Sequence, residues 1–270
     1  MCTKLQEQVF ILKINCDIMS NSDDDPLEKT LQLYGTGFTG RFSDRLTRRY
    51  VSLLAVSLGL TVGQMSILRA IQSLGRNILQ PVWGRLSDKY GKKRFIALGR
   101  SLYGVFLLGL LFFQTPWWII ILSAGTGVWW SIIRPNWTSL LGDYTEKESR
   151  GTSIGDINSI SQIGGIIAMI IAFIIGWINR GEITPSSYRP IIIMAAIFSM
   201  ISGLLSLFTK QKPPRTDDEP FDIEPILNDL TLRRYLVVNS LFGLSVSLAW
   251  PLFPFIIGDK LDLNIWQVAL

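Results

Sequence analysis

Hydrophobic residues in this chain collect into long blocks, and charged residues collect between them. A helix needs about 20 apolar residues to cross about 30 Å of hydrocarbon. Blocks on that scale lie near 64–83, 95–114, 117–142, 152–178, 191–208 and 234–258. They predict an all-α, polytopic transmembrane helix bundle. Short polar breaks separate them: 84–94, the dipeptide Thr115-Pro116, 142–151, and 179–190 with Arg180, Glu182, Pro185 and Pro190. Pro81 stands near the end of its block, where a membrane helix tolerates proline. Trp117 and Trp118 open the block at 117–142, a placement that suits an interfacial belt.

Residues 31–49 break the pattern. The apolar run beside them covers only 50–62, and thirteen residues at 1.5 Å each give roughly 20 Å, too short to span. Extending it backward brings in Arg49, Arg48, Arg45, Asp44 and Arg41. Either the first helix carries charge into a wet cavity or it is degenerate, and a poorly inserted, atypical helix is the expectation. Asp44 and Arg48 sit four apart, so they are placed to pair and lessen the cost.

The chain then divides into four regions. Residues 1–30 form a polar leader, and 31–208 form a first bundle. Residues 209–233, with Pro213-Pro214 and Asp217-Asp218-Glu219, form a polar linker. Residues 234–270 begin a second bundle. Leu58–Met65 resembles Leu261–Val268 at an offset of 203, which suggests an internal repeat.

Composition narrows the function. The 270 residues are 48% hydrophobic and 17% charged, unlike an ordinary soluble domain. The net charge of +5 fits basic cytoplasmic loops, because cationic loops resist translocation. The expected location is the plasma membrane, multi-pass, with the N-terminus and the 84–94 loop in the cytoplasm. The sequence has no histidine, which excludes histidine triads, histidine-ligated haem and the usual zinc sites. Cys2 and Cys16 are the only cysteines and lack CxxC spacing. No phosphate-cradling glycine loop is present. An enzyme is therefore not expected, nor is any cofactor or metal.

Residues 84–94 read Gly-Arg-Leu-Ser-Asp-Lys-Tyr-Gly-Lys-Lys-Arg, with five cations against Asp88. A nucleic-acid patch is the competing reading of Lys92-Lys93-Arg94. The membrane-length runs on either side argue against it, and no nucleic-acid partner is expected. The stretch resembles the signature loop between helices 2 and 3 of the major facilitator superfamily, G-x-x-x-D-R/K-x-G-x-R/K-R/K. Gly84, Asp88, Lys89, Gly91, Lys93 and Arg94 meet every specified position. The acidic stretch before Arg150-Gly151 is similar to the family's loop between helices 4 and 5.

The resemblance implies two six-helix halves that rock about a midplane site. The chain would supply the first half plus one helix of the second, as a fragment, a truncated reading frame or a remnant. It implies a gating role for the 84–94 loop, with partners beyond residue 270. Its function would be secondary transport of a small solute, coupled to protons or sodium. The alternative is a non-transporting membrane protein: a sensor, a partner or a degenerate remnant. In the family's drug exporters an arginine commonly precedes a helix 4 glycine by four residues. Ile121 holds that place before Gly125, so drug export loses support.

Candidate site residues follow from polar groups inside the blocks, since charge facing lipid is expensive. Arg69, Gln72, Arg76 and Gln80 recur at spacings of three, four and four on one helical face. They read equally well as a solute site or as a hydrogen-bond seam. Arg134 beside Pro135 could neutralise an anion or pair with Asp156 or Asp143, and the ion pair is preferred. Asn158 and Gln162 share a face one turn apart. Asp156 is a candidate coupling acid, though an acid stabilised at a helix start is the preferred reading. Intramembrane arginines favour an anionic solute.

Overall fold

A computed structural model of the chain describes residues 26–113, 115–145, 150–178 and 185–209, with isolated positions from 229 to 256. A few side chains within these ranges, that of Arg76 among them, lie outside the description. So do the leader through residue 25 and most of the expected linker and seventh helix.

Six α-helices carry the described residues: α1 Pro26–Ser57, α2 Val62–Tyr90, α3 Lys92–Phe112, α4 Pro116–Tyr144, α5 Arg150–Ile178 and α6 Pro185–Phe208. Four of them, α3 to α6, are long and apolar enough to cross a membrane. The packing runs as an arc: α5 lies on α1, α1 on α6, α6 on α3, α3 on α4, and α4 on α2. The main core contains Phe42, Leu46, Tyr50, Leu107, Ile119 and Ile191. Phe42 of α1 stacks on Phe198 of α6 with ring centroids 3.9 Å apart.

The first helix is not among the four described helices apolar enough to cross a membrane, yet it forms without a break. α1 is continuous over 32 residues, which at 1.5 Å per residue is about 48 Å of helix. Its hydropathy is low because small and hydroxylated residues make its contacts. Thr36, Thr39, Ser43, Thr47 and Ser52 are all buried. The Thr36, Thr39 and Thr47 hydroxyls donate to carbonyls one turn back, while Ser43 Oγ donates 2.6 Å to the Ala195 carbonyl of α6. In lipid, close packing and such hydrogen bonds replace the hydrophobic drive between helices. The Asp44–Arg48 pair is corrected. Asp44 turns instead to Arg100 of α3, at 2.7 Å from Nη1.

The 84–94 stretch proves almost entirely helical. Thr61 caps α2 through a reciprocal box with Gln64, the Thr61 N–H donating 2.9 Å to Gln64 Oε1. The helix then runs past Pro81 to Tyr90, so the expected break after residue 83 is absent. One residue, Gly91, joins α2 to α3, with φ of +99°. A side chain rarely adopts that conformation, whereas glycine does so freely. Its N–H donates 2.8 Å to the Ser87 carbonyl and closes the end of α2.

Candidate functional site

A cluster of arginines lies where α1 meets α4 and α5. On α1, Arg41, Arg45 and Arg48 recur at spacings of four and three, so they share one face with Arg49 beside them. Arg45, Arg48 and Arg49 are exposed and Arg41 is half-buried. Asp44 lies on the same helix, but Arg100 takes its charge. Arg100 donates to both Asp44 oxygens and 3.3 Å to the Gly40 carbonyl, and it is 8% exposed. Asp44 is thereby committed to α3 rather than to the arginines of its own helix. Glycine makes room for this arrangement, since a Cβ at Gly40 would come within 2.6 Å of Arg100 Nη2.

Trp130 of α4 faces two of these guanidiniums. Arg48 Cζ lies 5.7 Å from its ring centroid, and Arg134 Cζ lies 5.3 Å away. A cation within about 6 Å of an indole face is attracted by the ring quadrupole. Both interactions draw on the same ring, which holds two like charges close together. The expected ion pair of Arg134 is corrected: it meets neither Asp143 nor Asp156. Asp143 is occupied by Lys92, 2.7 Å away, which ties the start of α3 to the end of α4. Asp156 is exposed near the start of α5.

The helix 2 stripe divides. Arg69 donates to Ser52 Oγ of α1 and 3.3 Å to Gln72 Oε1, and Gln72 Nε2 donates 2.7 Å to the Ser123 carbonyl of α4. These two residues stitch α2 to α1 and α4. Gln80 is half-buried, and the Arg76 side chain lies outside the description. Gln162 of α5 joins the cationic face, accepting 3.1 Å from Arg45 Nη2. Asn158 is exposed one turn earlier.

In the signature stretch, Asp88, Lys89 and Arg94 are exposed and Lys93 is half-buried. A Cβ at Gly84 would meet nothing within 4 Å among the described residues. The α1 arginines were missed as a site although their spacing is the signal that singled out the helix 2 stripe. Trp130 carried no signal in sequence, because its role depends on which helix stands opposite.

Comparison with known proteins agrees with the bundle. The chain is 22% identical over 200 residues to the multi-drug resistance efflux pump PmrA homolog of Lactococcus lactis, covering 73% of this chain and 46% of that protein. It is 24% identical to the quinolone resistance protein NorA of Staphylococcus aureus, covering 79% of this chain and 54% of that protein. The chain thus spans about half the length of these relatives. The fold resembles the crystal structure of the nucleoside transporter NupG with a TM-score of 0.66 at 14% identity, over 89% of this chain and 62% of that one. The family description of the Major Facilitator Superfamily matches residues 33–270. The chain is a multi-pass membrane protein and belongs to the Major Facilitator Superfamily.

Proposed function

We propose that the whole protein is a secondary transporter of the plasma membrane that moves a small anionic solute by alternating access. The carrying observation is the cationic face formed by Arg45 and Arg48 of α1 and Arg134 of α4. These three arginines are exposed, while Asp44 is committed to Arg100. Cations in an apolar setting call for water or an anion beside them. A planar guanidinium suits carboxylate or phosphate because its fork donates two parallel hydrogen bonds. Gln162 holds Arg45 in place, and Trp130 holds Arg48 and Arg134. In this reading Asp88 and Arg94 serve the gate at the α2–α3 rim, and Arg69 and Gln72 keep α2 in register.

The test is uptake of labelled organic anions into vesicles that contain the whole protein. Arg134→Ala and Arg48→Ala each weaken apparent affinity roughly tenfold or more, since a hydrogen bond to a charged group contributes about 1.5–3 kcal/mol. Unchanged anion uptake in both variants overturns the reading.

A second reading, export of drug-like molecules, is favoured by the names of the Lactococcus and Staphylococcus relatives. Ile121 in place of an arginine weighs against it. Efflux of a cationic dye that survives Arg48→Ala and Arg134→Ala would favour it over anion transport.

A further inference from the structure

Arg48 of α1 and Arg134 of α4 converge on one aromatic ring. Their Cζ atoms lie 5.7 and 5.3 Å from the Trp130 centroid, so the two guanidiniums stand at most about 11 Å apart. The indole attracts both cations but neutralises neither, because a ring quadrupole carries no net charge. Along each helix the nearest acid is committed elsewhere. Asp44 of α1 pairs with Arg100, and Asp143 of α4 pairs with Lys92, both of them cations of α3. Among the described residues, neither the Arg48 nor the Arg134 guanidinium makes a hydrogen bond or an ion pair. Both side chains are exposed. Arg134 stands ten residues before the end of α4, roughly 15 Å of helix, so the pair lies away from the helix end.

We infer that Arg48 and Arg134 together bind a small dianion, one acidic group on each guanidinium, with Trp130 setting the distance between them. The inference rests on the anion reading above and names the class of solute. A monoanion on one guanidinium leaves the other cation uncompensated in an apolar setting, which is costly. A solute with two acidic groups on a short spacer pairs both, each through the forked donors of a guanidinium. Once one group is held, the second binds intramolecularly and adds affinity. Because a single rigid ring attracts both arginines, the site reads the spacing of the two acids.

The test uses the whole protein in detergent, titrated with dicarboxylates from malonate to suberate, with acetate to hexanoate as single-acid controls. One dicarboxylate length should bind roughly tenfold or more tighter than the monoacids, the worth of a second charged hydrogen-bonded group. Arg48→Gln and Arg134→Gln should each reduce that diacid to monoacid affinity, whereas Arg48→Lys and Arg134→Lys should keep part of the advantage. Trp130→Leu should flatten the preference for one length and spare monoacid binding. Unfolding temperatures of the unliganded variants separate lost binding from lost folding. Diacids that bind no tighter than monoacids overturn this inference and spare the broader anion reading. A diacid advantage that survives both glutamine variants also overturns it. Failure of every anion to bind overturns both. Displacement of the diacid by cardiolipin, with no diacid uptake into vesicles, assigns the two arginines to a lipid headgroup and overturns the solute.

Discussion

At the scale of single residues, the Asp44–Arg100 pair carries the highest stakes. Both side chains are mostly buried, at 13% and 10% exposure. Removing one partner of a buried pair costs about 3–5 kcal/mol, because the other charge stays unpaired. Asp44→Asn should therefore lower the unfolding temperature in detergent markedly. The double change Asp44→Leu with Arg100→Met should recover much of that loss, because apolar replacement of a buried pair is often neutral. A double variant as unstable as Asp44→Asn would show that the pair does more than neutralise charge. Asp44 also shows where sequence reading stops. Its neighbour at four residues, Arg48, was visible, but its true partner lies 56 positions away on α3. Burial of Arg100 likewise depends on packing and leaves no trace in local spacing.

At the scale of helices, the apolar blocks marked α3, α4, α5 and α6 closely, because long lipid-facing runs are written in composition. α1 was harder. Its contacts depend on Gly35, Gly37 and Gly40 and on hydroxyls that satisfy their own helix, and hydropathy reads such residues as weak. α2 was cut short because a proline and a cluster of charges look like an end. Two predictions belong here. A Cβ at Gly164 of α5 would strike the Phe38 carbonyl of α1, while one at Gly155 would meet nothing within 4 Å. Gly164→Ala should destabilise the bundle by about 1–3 kcal/mol, the usual cost of overpacking. Gly155→Ala on the same helix should not, and thermal unfolding of the two variants compares them directly. Gly91→Val should cost about 1–3 kcal/mol, because φ of +99° strains a β-branched residue. Equal stability of that variant and the parent would show that the junction relaxes.

At the scale of the whole molecule, the prediction is topological. Lys89 is exposed beside the α2–α3 junction. In a background with Cys2→Ser and Cys16→Ser, Lys89→Cys should react with a membrane-impermeant thiol reagent only from the cytoplasmic side. Reaction from outside intact cells would invert the bundle and remove the gate from the cytoplasmic rim. The family and its fold were legible from the order and spacing in 84–94, since six specified positions coincide there. The candidate site was less so. Arg134 and Gln162 were singled out, but the α1 arginines were taken as a defect in a helix rather than as a candidate site. Their meaning comes from α4 and α5, which bring Trp130 and Gln162 up to them.

The one-residue junction at Gly91 has a mechanical consequence. Consecutive Cα atoms stand about 3.8 Å apart, so a single linking residue stores almost no slack. A push on that end of α2 passes directly into the head of α3, which Lys92 tethers to the tail of α4. Three helices therefore share one stiff elbow, and torque applied at any of them is felt by the other two.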